Sequence, residues 1–278
     1  MKTVGFIGLG VMGKLMAANL AKRFKVRSYD LNGSGNCRSA REAAEGSDAL
    51  ITMVPDGNDV RDAVLDALPG LKRGAVVIDM SSADPAGTLA LGKVLKANHI
   101  AMVDAPVSGA RFKAKDGTLA IMVGGDKAAV KKVMPVLRTM GTEIFYCGRP
   151  GAGHAVKSLN NYLGAAGTLA GFEALLIAQR FGLDPRPMID AINASTGRNS
   201  TTVRKIPQDI LTGAYASGFK LSLMTKDVGI AAELARGLRV KTPFLKETLK
   251  HWKAAQKMLK RDADHTEIYK YQRKLTRQ

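Results

Sequence analysis

Residues 2–30 read KTVGFIGLGVMGKLMAANLAKRFKVRSYD, and this stretch decides the first half of the fold. Lys2–Ile7 has the composition of a short apolar strand, and Gly8-Leu9-Gly10-Val11-Met12-Gly13 follows it without a spacer. From Met12 to Ala21 the apolar residues recur at helical spacing, so the glycines sit between a strand and a helix. In that setting G-x-G-x-x-G is a dinucleotide-binding turn. Gly8 permits the tight bend, Gly10 lets the backbone approach a pyrophosphate, and Gly13 allows close helix–strand packing. Val11 and Met12 open the helix whose N-terminus faces the phosphates. A second strand, Lys25–Asp30, ends in an acid 22 residues after Gly8. A carboxylate there accepts ribose hydroxyls and repels a 2′-phosphate, so NAD is the expected cofactor. NADP stays open because Arg27 lies in the same strand and the chain is basic.

Outward from this stretch the strand–helix alternation continues. Ala49–Val54 is an apolar strand stopped by Pro55-Asp56-Gly57, and Asp59–Leu68 is helical. Ala75–Asp79 is the next strand, Asp84-Pro85 caps and starts a helix to Ala97, and Ile100–Asp104 is another strand. Repeats of this length predict a doubly wound parallel sheet of Rossmann type, whose ligands lie beyond the strand C-termini. Met53-Val54-Pro55, Ser81-Ser82 and Asp104–Gly109 fall there; Ser81 and Ser82 fit a helix cap equally well. The stretch from Asp104 to Gly117 reads as a long loop, and Ser108-Gly109 offers a hydroxyl and backbone N–H groups to a carboxylate. Thr118–Gly124 and Glu143–Tyr146 are two more strands, around a helix capped by Asp126. The first domain is expected over 1–150.

Residues 151–182, GAGHAVKSLNNYLGAAGTLAGFEALLIAQRFG, contain no proline and end on a C-cap glycine, so they predict one helix of roughly eight turns. Lys157 and Asn161 are four apart and share a face, with His154 one turn earlier in a packing or hydrogen-bonding role. Small residues in the later turns suit a wall between domains. Asp184-Pro185 starts the next helix, Ser195–Ser200 is a loop, and helices follow near 202–211, 221–238, 243–260 and after Asp264. Residues 151–278 are therefore expected to form an all-α domain joined to the first by the 151–182 helix. Arg198 and Asn199 are candidates for the border of a substrate pocket.

Composition limits the alternatives. The cysteines, Cys37 and Cys147, and four scattered histidines fit no metal-ligand spacing, so no metal is expected, and the thiols suit a reduced cytoplasmic setting. Four glycines within VGFIGLGVMG, followed by Lys14, argue against an export signal, and Glu173 with its neighbouring glycines argues against a membrane span. The net charge of +18 is high. Lys246, Lys250, Lys253, Lys257 and Lys260 form one helical stripe beside Leu245, Leu249, Trp252 and Leu259, which reads first as a solvated amphipathic face. Attraction of anionic substrates is the sharper reading. No aromatic interleaving supports a nucleic-acid partner.

GFIGLGVMG, DAPVSG, GTLAIMVGG, GAGHAVKSLNN and LMTKD (223–227) occur in this order, and the whole chain resembles the β-hydroxyacid dehydrogenases, relatives of 3-hydroxyisobutyrate dehydrogenase and tartronate semialdehyde reductase. The resemblance implies NAD(P)-dependent interconversion of a small anionic hydroxyacid and its semialdehyde or ketone. It assigns Lys157 as general acid/base, with Asn161, Ser108 and Gly109 on the substrate. Met53, Val54, Pro55, Ser82 and Lys226 then lie along the cofactor, and a homodimer or tetramer is expected. A lysine can play that part where desolvation and a nearby cation disfavour its ammonium; Lys226 is a candidate cation and Asp227 a candidate orienter. The family's usual Ser-Gly-Gly is here Ser108-Gly109-Ala110, and Arg111, Phe112 and Lys113 replace mostly small or apolar residues. Two rivals share parts of this pattern: an imine reductase, which usually lacks the lysine, and a non-catalytic NAD-binding scaffold with a polyanion-binding surface.

Overall fold

The computed structural model describes residues 1–276. The chain divides into two compact units, one from Met1 to Lys157 and one from Ser158 onward.

The first unit is built on eight strands. Its elements run β1 (Thr3–Ile7), α1 (Gly13–Ala21), β2 (Lys25–Tyr29), α2 (Ala40–Ala44), β3 (Ala49–Thr52), α3 (Gly57–Ala67), β4 (Val76–Asp79), α4 (Pro85–Ala97), β5 (Ala101–Asp104), β6 (Val107–Ser108), α5 (Ala110–Asp116), β7 (Leu119–Gly125), α6 (Lys127–Leu137) and β8 (Gly141–Gly148). The sheet order is β2-β1-β3-β4-β5-β7-β6, with β8 paired to β7. Strands β1 to β5 pair parallel with one another, and every residue of β3 and β4 is buried. Burial on both faces explains why these segments are apolar throughout rather than alternating. Successive residues serve opposite cores. Leu50 and Val77 pack with Val60, Val64, Leu91 and Leu95. Ile51 and Ile78 pack with Phe6, Met16, Leu20 and Val133.

The sheet is not parallel throughout. β7 pairs antiparallel with both β5 and β6. The reason lies in the segment that reads as a loop in the sequence. β6 and the seven-residue α5 fill it, and a helix of that length rises only about 10 Å, too little to carry the chain back for a parallel return. Asp126 stands before α6 but its side chain makes no cap bond, whereas Asp84 accepts the Gly87 N–H at the start of α4.

Helix α7 (Ala152–Phe181) crosses the boundary at Lys157 and continues into the second unit. It ends on Gly182 at φ +92°, with the Leu183 N–H returning to the Ala178 carbonyl, as a left-handed glycine cap requires. The second unit continues with α8 (Pro185–Asn193), a wide π-helix (Thr201–Ile210), α9 (Leu221–Gly237), α10 (Pro243–Met258) and α11 (Ile268–Leu275). Its core gathers Phe172, Leu175, Ile189, Ile206, Val228, Leu245, Trp252 and Ile268. Lys246, Lys250, Lys253 and Lys257 are exposed on α10, Lys260 lies past its end, and Lys250 pairs with Glu247. Among the described residues no helix is long and apolar enough to cross a membrane.

Candidate functional site

The turn from β1 to α1 is fixed by its glycines. Gly8 has φ +98°, and its N–H donates to the Tyr29 carbonyl at 3.0 Å. A Cβ on Gly8 would overlap the Met53 carbonyl, and one on Gly13 would overlap the Gly8 carbonyl, so both must stay bare. Gly10 differs: a Cβ there meets no atom within 4 Å. The space over Gly10 is what a pyrophosphate needs, at the start of a helix whose N-cap position, Met12, supplies no side-chain bond. Val11 beside it is 55% exposed.

Asp30 closes this turn. Its Oδ2 accepts the Leu9 N–H at 2.5 Å and its Oδ1 the Asn32 N–H at 3.0 Å. A carboxylate has about four lone-pair sites, so two remain for ribose hydroxyls. The carboxylate also borders a cavity of about 400 Å³ lined by Leu31, Asn36 and Arg38. Arg27 is occupied elsewhere, donating from Nε and Nη2 to the Glu42 carbonyl at 2.9 and 2.6 Å. The group that kept NADP open in the sequence is thus committed to α2. The residues present fit a dinucleotide.

At the carboxyl ends of β3 and β4 the two serines have different roles. Ser81 is buried and its Oγ accepts the Val54 N–H at 3.0 Å, tying the two strand ends together; Asp84 does the capping that the serines were candidates for. Ser82, Met53 and Val54 are half-buried and Pro55 is exposed. Behind them lies a buried polar network. Asp79 Oδ1 accepts from Thr52 Oγ1 and the Ser81 N–H, and its Oδ2 is 3.5 Å from His154 Nε2. Thr88 Oγ1 meets His154 Nδ1 at 2.7 Å. Asp104 accepts the Gly151 N–H at 2.8 Å and the His154 N–H at 3.0 Å, fastening the first turn of α7 to the end of β5. His154 is 1% exposed and serves this network, in keeping with the hydrogen-bonding role its sequence position suggests.

Ser108 ends β6, paired with Ala120 of β7, and Gly109 precedes α5 at φ +141°. Ala110 keeps φ +58°, a left-handed conformation that glycine adopts more readily than alanine. A Cβ on Gly109 would lie 2.6 Å from Lys113 Cδ and 2.8 Å from its Cβ, so the lysine stem lies over the bare glycine.

In the second unit Asn161 and Asp227 are buried together, at 8% and 2% exposure, with Asn161 Nδ2 donating to Asp227 Oδ2 at 2.5 Å. Asn160 Nδ2 donates to Asn161 Oδ1 at 3.1 Å, and the Lys226 ammonium is 3.1 Å from Asp227 Oδ1. Asp227, expected to orient a lysine, therefore fixes the Asn161 amide, and the charge of Lys226 has its partner in Asp227. On α7 itself Lys157 precedes Asn161 by one turn and is half-buried. Asn199 is taken up locally: its Oδ1 accepts the N–H groups of Thr201 and Thr202.

Comparison with known proteins resolves what this arrangement belongs to. A family model for the NAD binding domain of 6-phosphogluconate dehydrogenase matches residues 3–148, and one for the NAD-binding region of NADP-dependent 3-hydroxyisobutyrate dehydrogenase matches residues 151–272. The 2-(hydroxymethyl)glutarate dehydrogenase of Eubacterium barkeri is 38% identical over 87% of this chain and 85% of its own. The chain belongs to the β-hydroxyacid dehydrogenase family. Other members include the NAD-dependent L-serine dehydrogenase of Pseudomonas aeruginosa, 34% identical over 88% of this chain and 89% of its own. The human mitochondrial 3-hydroxyisobutyrate dehydrogenase is 35% identical over 89% of this chain and 79% of its own. Among solved structures, the Mycobacterium tuberculosis 3-hydroxyisobutyrate dehydrogenase with L-serine superposes at a TM-score of 0.90 with 30% identity, covering 98% of this chain and 99% of that one. Imine reductases from Streptomyces aurantiacus and Bacillus cereus reach 0.63 and 0.64 at 19% and 17% identity, which speaks to fold alone. As a β-hydroxyacid dehydrogenase this protein is an NAD(P)-dependent oxidoreductase acting on CH–OH.

Proposed function

We propose that this dehydrogenase interconverts a 3-hydroxycarboxylate bearing a primary alcohol and the corresponding semialdehyde, with Lys157 as general acid/base. 2-(Hydroxymethyl)glutarate, L-serine and 3-hydroxyisobutyrate, named in its relatives, share a primary hydroxyl one carbon removed from the carbon bearing a carboxylate, and differ only in what else that carbon carries. The observation that carries the reading is the Asn161 amide, buried and locked by Asp227 one turn after Lys157 on the same helix.

The bound nicotinamide supplies the hydride acceptor for alcohol oxidation. Lys157 takes the hydroxyl proton as the C–H bond breaks, and in the reverse direction its ammonium returns that proton to the carbonyl oxygen. Asn161 has given one amide N–H to Asp227, which leaves the second to hold the substrate oxygen. The Ser108 hydroxyl and the Gly109 amide bind the carboxylate. Gly8, Gly10, Val11, Met12 and Gly13 cradle the pyrophosphate, Asp30 takes the adenosine ribose, and Met53, Val54, Pro55, Ser82 and Lys226 line the rest of the cofactor. With Arg27 committed to Glu42, Asp30 favours NAD over NADP. The domains meant by this reading are 1–150 and 151–278. An exposed apolar stripe on α7, comprising Leu159, Leu163, Ile177 and Phe181, supports a homodimer or tetramer, and the reading places the enzyme in the cytoplasm.

The test is nicotinamide absorbance during turnover of 3-hydroxyisobutyrate, L-serine, glycerate and their semialdehydes, each with NAD(H) and NADP(H). Lys157→Ala is expected to lose turnover by at least a thousandfold while cofactor binding persists. Turnover within tenfold of wild type would remove Lys157 from the chemistry.

A further inference from the structure

Resting on the reading just proposed, we infer that Lys113 makes this enzyme selective for hydroxyacids that carry a second anionic group on the carbon next to the carboxylate. The Ser108–Gly109 corner holds the first carboxylate in that reading, and Lys113 is built onto the same corner. Its Cδ is 2.6 Å, its Cβ 2.8 Å and its Cγ 3.1 Å from where a Gly109 side chain would begin. Its Nζ is two bonds beyond Cδ, which places the ammonium within about 5 Å of that point at the bond lengths of a saturated chain. The backbone from which the stem rises is held in place, because the Lys113 carbonyl accepts the N–H groups of Gly117 and Thr118 and closes the C-terminal end of α5.

The charge is uncommitted. Among the described residues no carboxylate lies within ion-pair distance of the Lys113 ammonium, although Lys113 is half-buried. Arg111 is exposed and shares the absence of an ion pair, but no contact fixes its stem over Gly109. An unneutralised cation about one side-chain length from a carboxylate site offers a second anion a place, and gives a methyl or ammonium substituent nothing to gain. The helix itself is too short to supply the charge; the lysine does. Gly109 is then required twice, for its φ of +141° and to leave room for the lysine stem.

The experiment compares kcat/KM across 3-hydroxypropanoates carrying at C2 hydrogen, methyl, carboxymethyl, carboxyethyl or phosphonomethyl, for wild type, Lys113→Met, Lys113→Arg and Arg111→Met. Methionine keeps an unbranched stem over Gly109 and removes only the charge. The wild type is expected to prefer one of the anionic substituents over methyl by at least tenfold. Lys113→Met should collapse that preference at least tenfold, mainly through KM, and Lys113→Arg should keep it within threefold. Preference for carboxyalkyl over phosphonomethyl, or the reverse, identifies which anion the site takes. Wild-type turnover of the methyl compound with no gain from a second anion, or a preference unchanged in Lys113→Met, would overturn the inference and leave the proposed reaction standing. Failure of the wild type on every member would overturn the proposed reaction, and the inference with it.

Discussion

Replacing Asp227 by alanine isolates the bond that fixes Asn161 on α7. In the wild type this carboxylate is 2% exposed, accepts Asn161 Nδ2 at 2.5 Å and stands 3.1 Å from the Lys226 ammonium. Losing a charge-assisted acceptor leaves the buried amide of Asn161 without its partner, which costs about 1.5–3 kcal/mol. Lys226 keeps a side-chain exposure of 26%, so water recovers much of its solvation and the broken ion pair adds only about 0.2–1 kcal/mol. The sum is roughly 2–4 kcal/mol. Asparagine at the same position still presents an oxygen to Asn161 and loses only the charge, so about half of that cost is expected. Urea unfolding of the three proteins should therefore rank wild type above Asp227→Asn above Asp227→Ala, with unchanged m-values. Asp227→Ala should also raise KM, because the amide meant to hold the substrate oxygen is no longer fixed. Stability of Asp227→Ala within 0.5 kcal/mol of wild type would refute the claim that this buried bond organises the site.

Other expectations follow from single contacts. Gly10→Ala should leave unfolding within about 0.5 kcal/mol of wild type, since its Cβ enters open space, yet weaken NAD binding at least tenfold in a calorimetric titration. Gly13→Ala, whose Cβ overlaps a carbonyl, should cost more than about 2 kcal/mol in the same unfolding assay. Burial, reinforced by the charge of Lys205, lowers the His265 pKa from 6.5 to about 4. The unfolded chain then binds a proton that the folded one refuses, so stability should fall as pH drops from about 6.5 toward 4, and the His265 imidazole should show that low midpoint by NMR. Lys205, pushed down to about 8 by burial, should add stability as pH rises from about 8 toward 10.5; Lys205→Met should abolish that limb and raise the His265 midpoint. An alkaline limb that survives in Lys205→Met would assign it to another group.

The legible parts of this protein are those written in short spans. The Gly8–Gly13 turn and the capped starts of α4 and α8 come from residues within a few positions of one another, where propensity and backbone sterics decide, and Asp30 is legible from the spacing of the strand–turn–helix–strand motif although its partner Leu9 lies 21 residues away. Helix α5 escapes sequence reading because seven residues between Gly109 and Gly117 are too few to show a period. The antiparallel entry of β7 follows from that same short helix. Side-chain commitments are the least legible. Arg27 is drawn to Glu42 across 15 residues, Asn161 to Asp227 across 66, and Lys205 to Thr168 across 37. In each case the spacing carries no signal, because tertiary packing alone brings the pair together. Helical spacing does put Lys157 and Asn161 on one face, but it says nothing of what holds the asparagine still.

The two bonds from Asp104 to the start of α7 bear on how the chain can be cut. A fragment ended at Pro150 would remove Gly151 and His154, so Asp104 would lose both N–H donors together with the turn of α7 that lies against it. Water replaces the two donors at the uncovered carboxylate, so the loss is that of two charge-assisted bonds, about 1.5–3 kcal/mol each. A fragment continued through the first two turns of α7 keeps both bonds. For expressing the nucleotide-binding half alone, the workable terminus therefore lies inside the helix rather than in the loop before it.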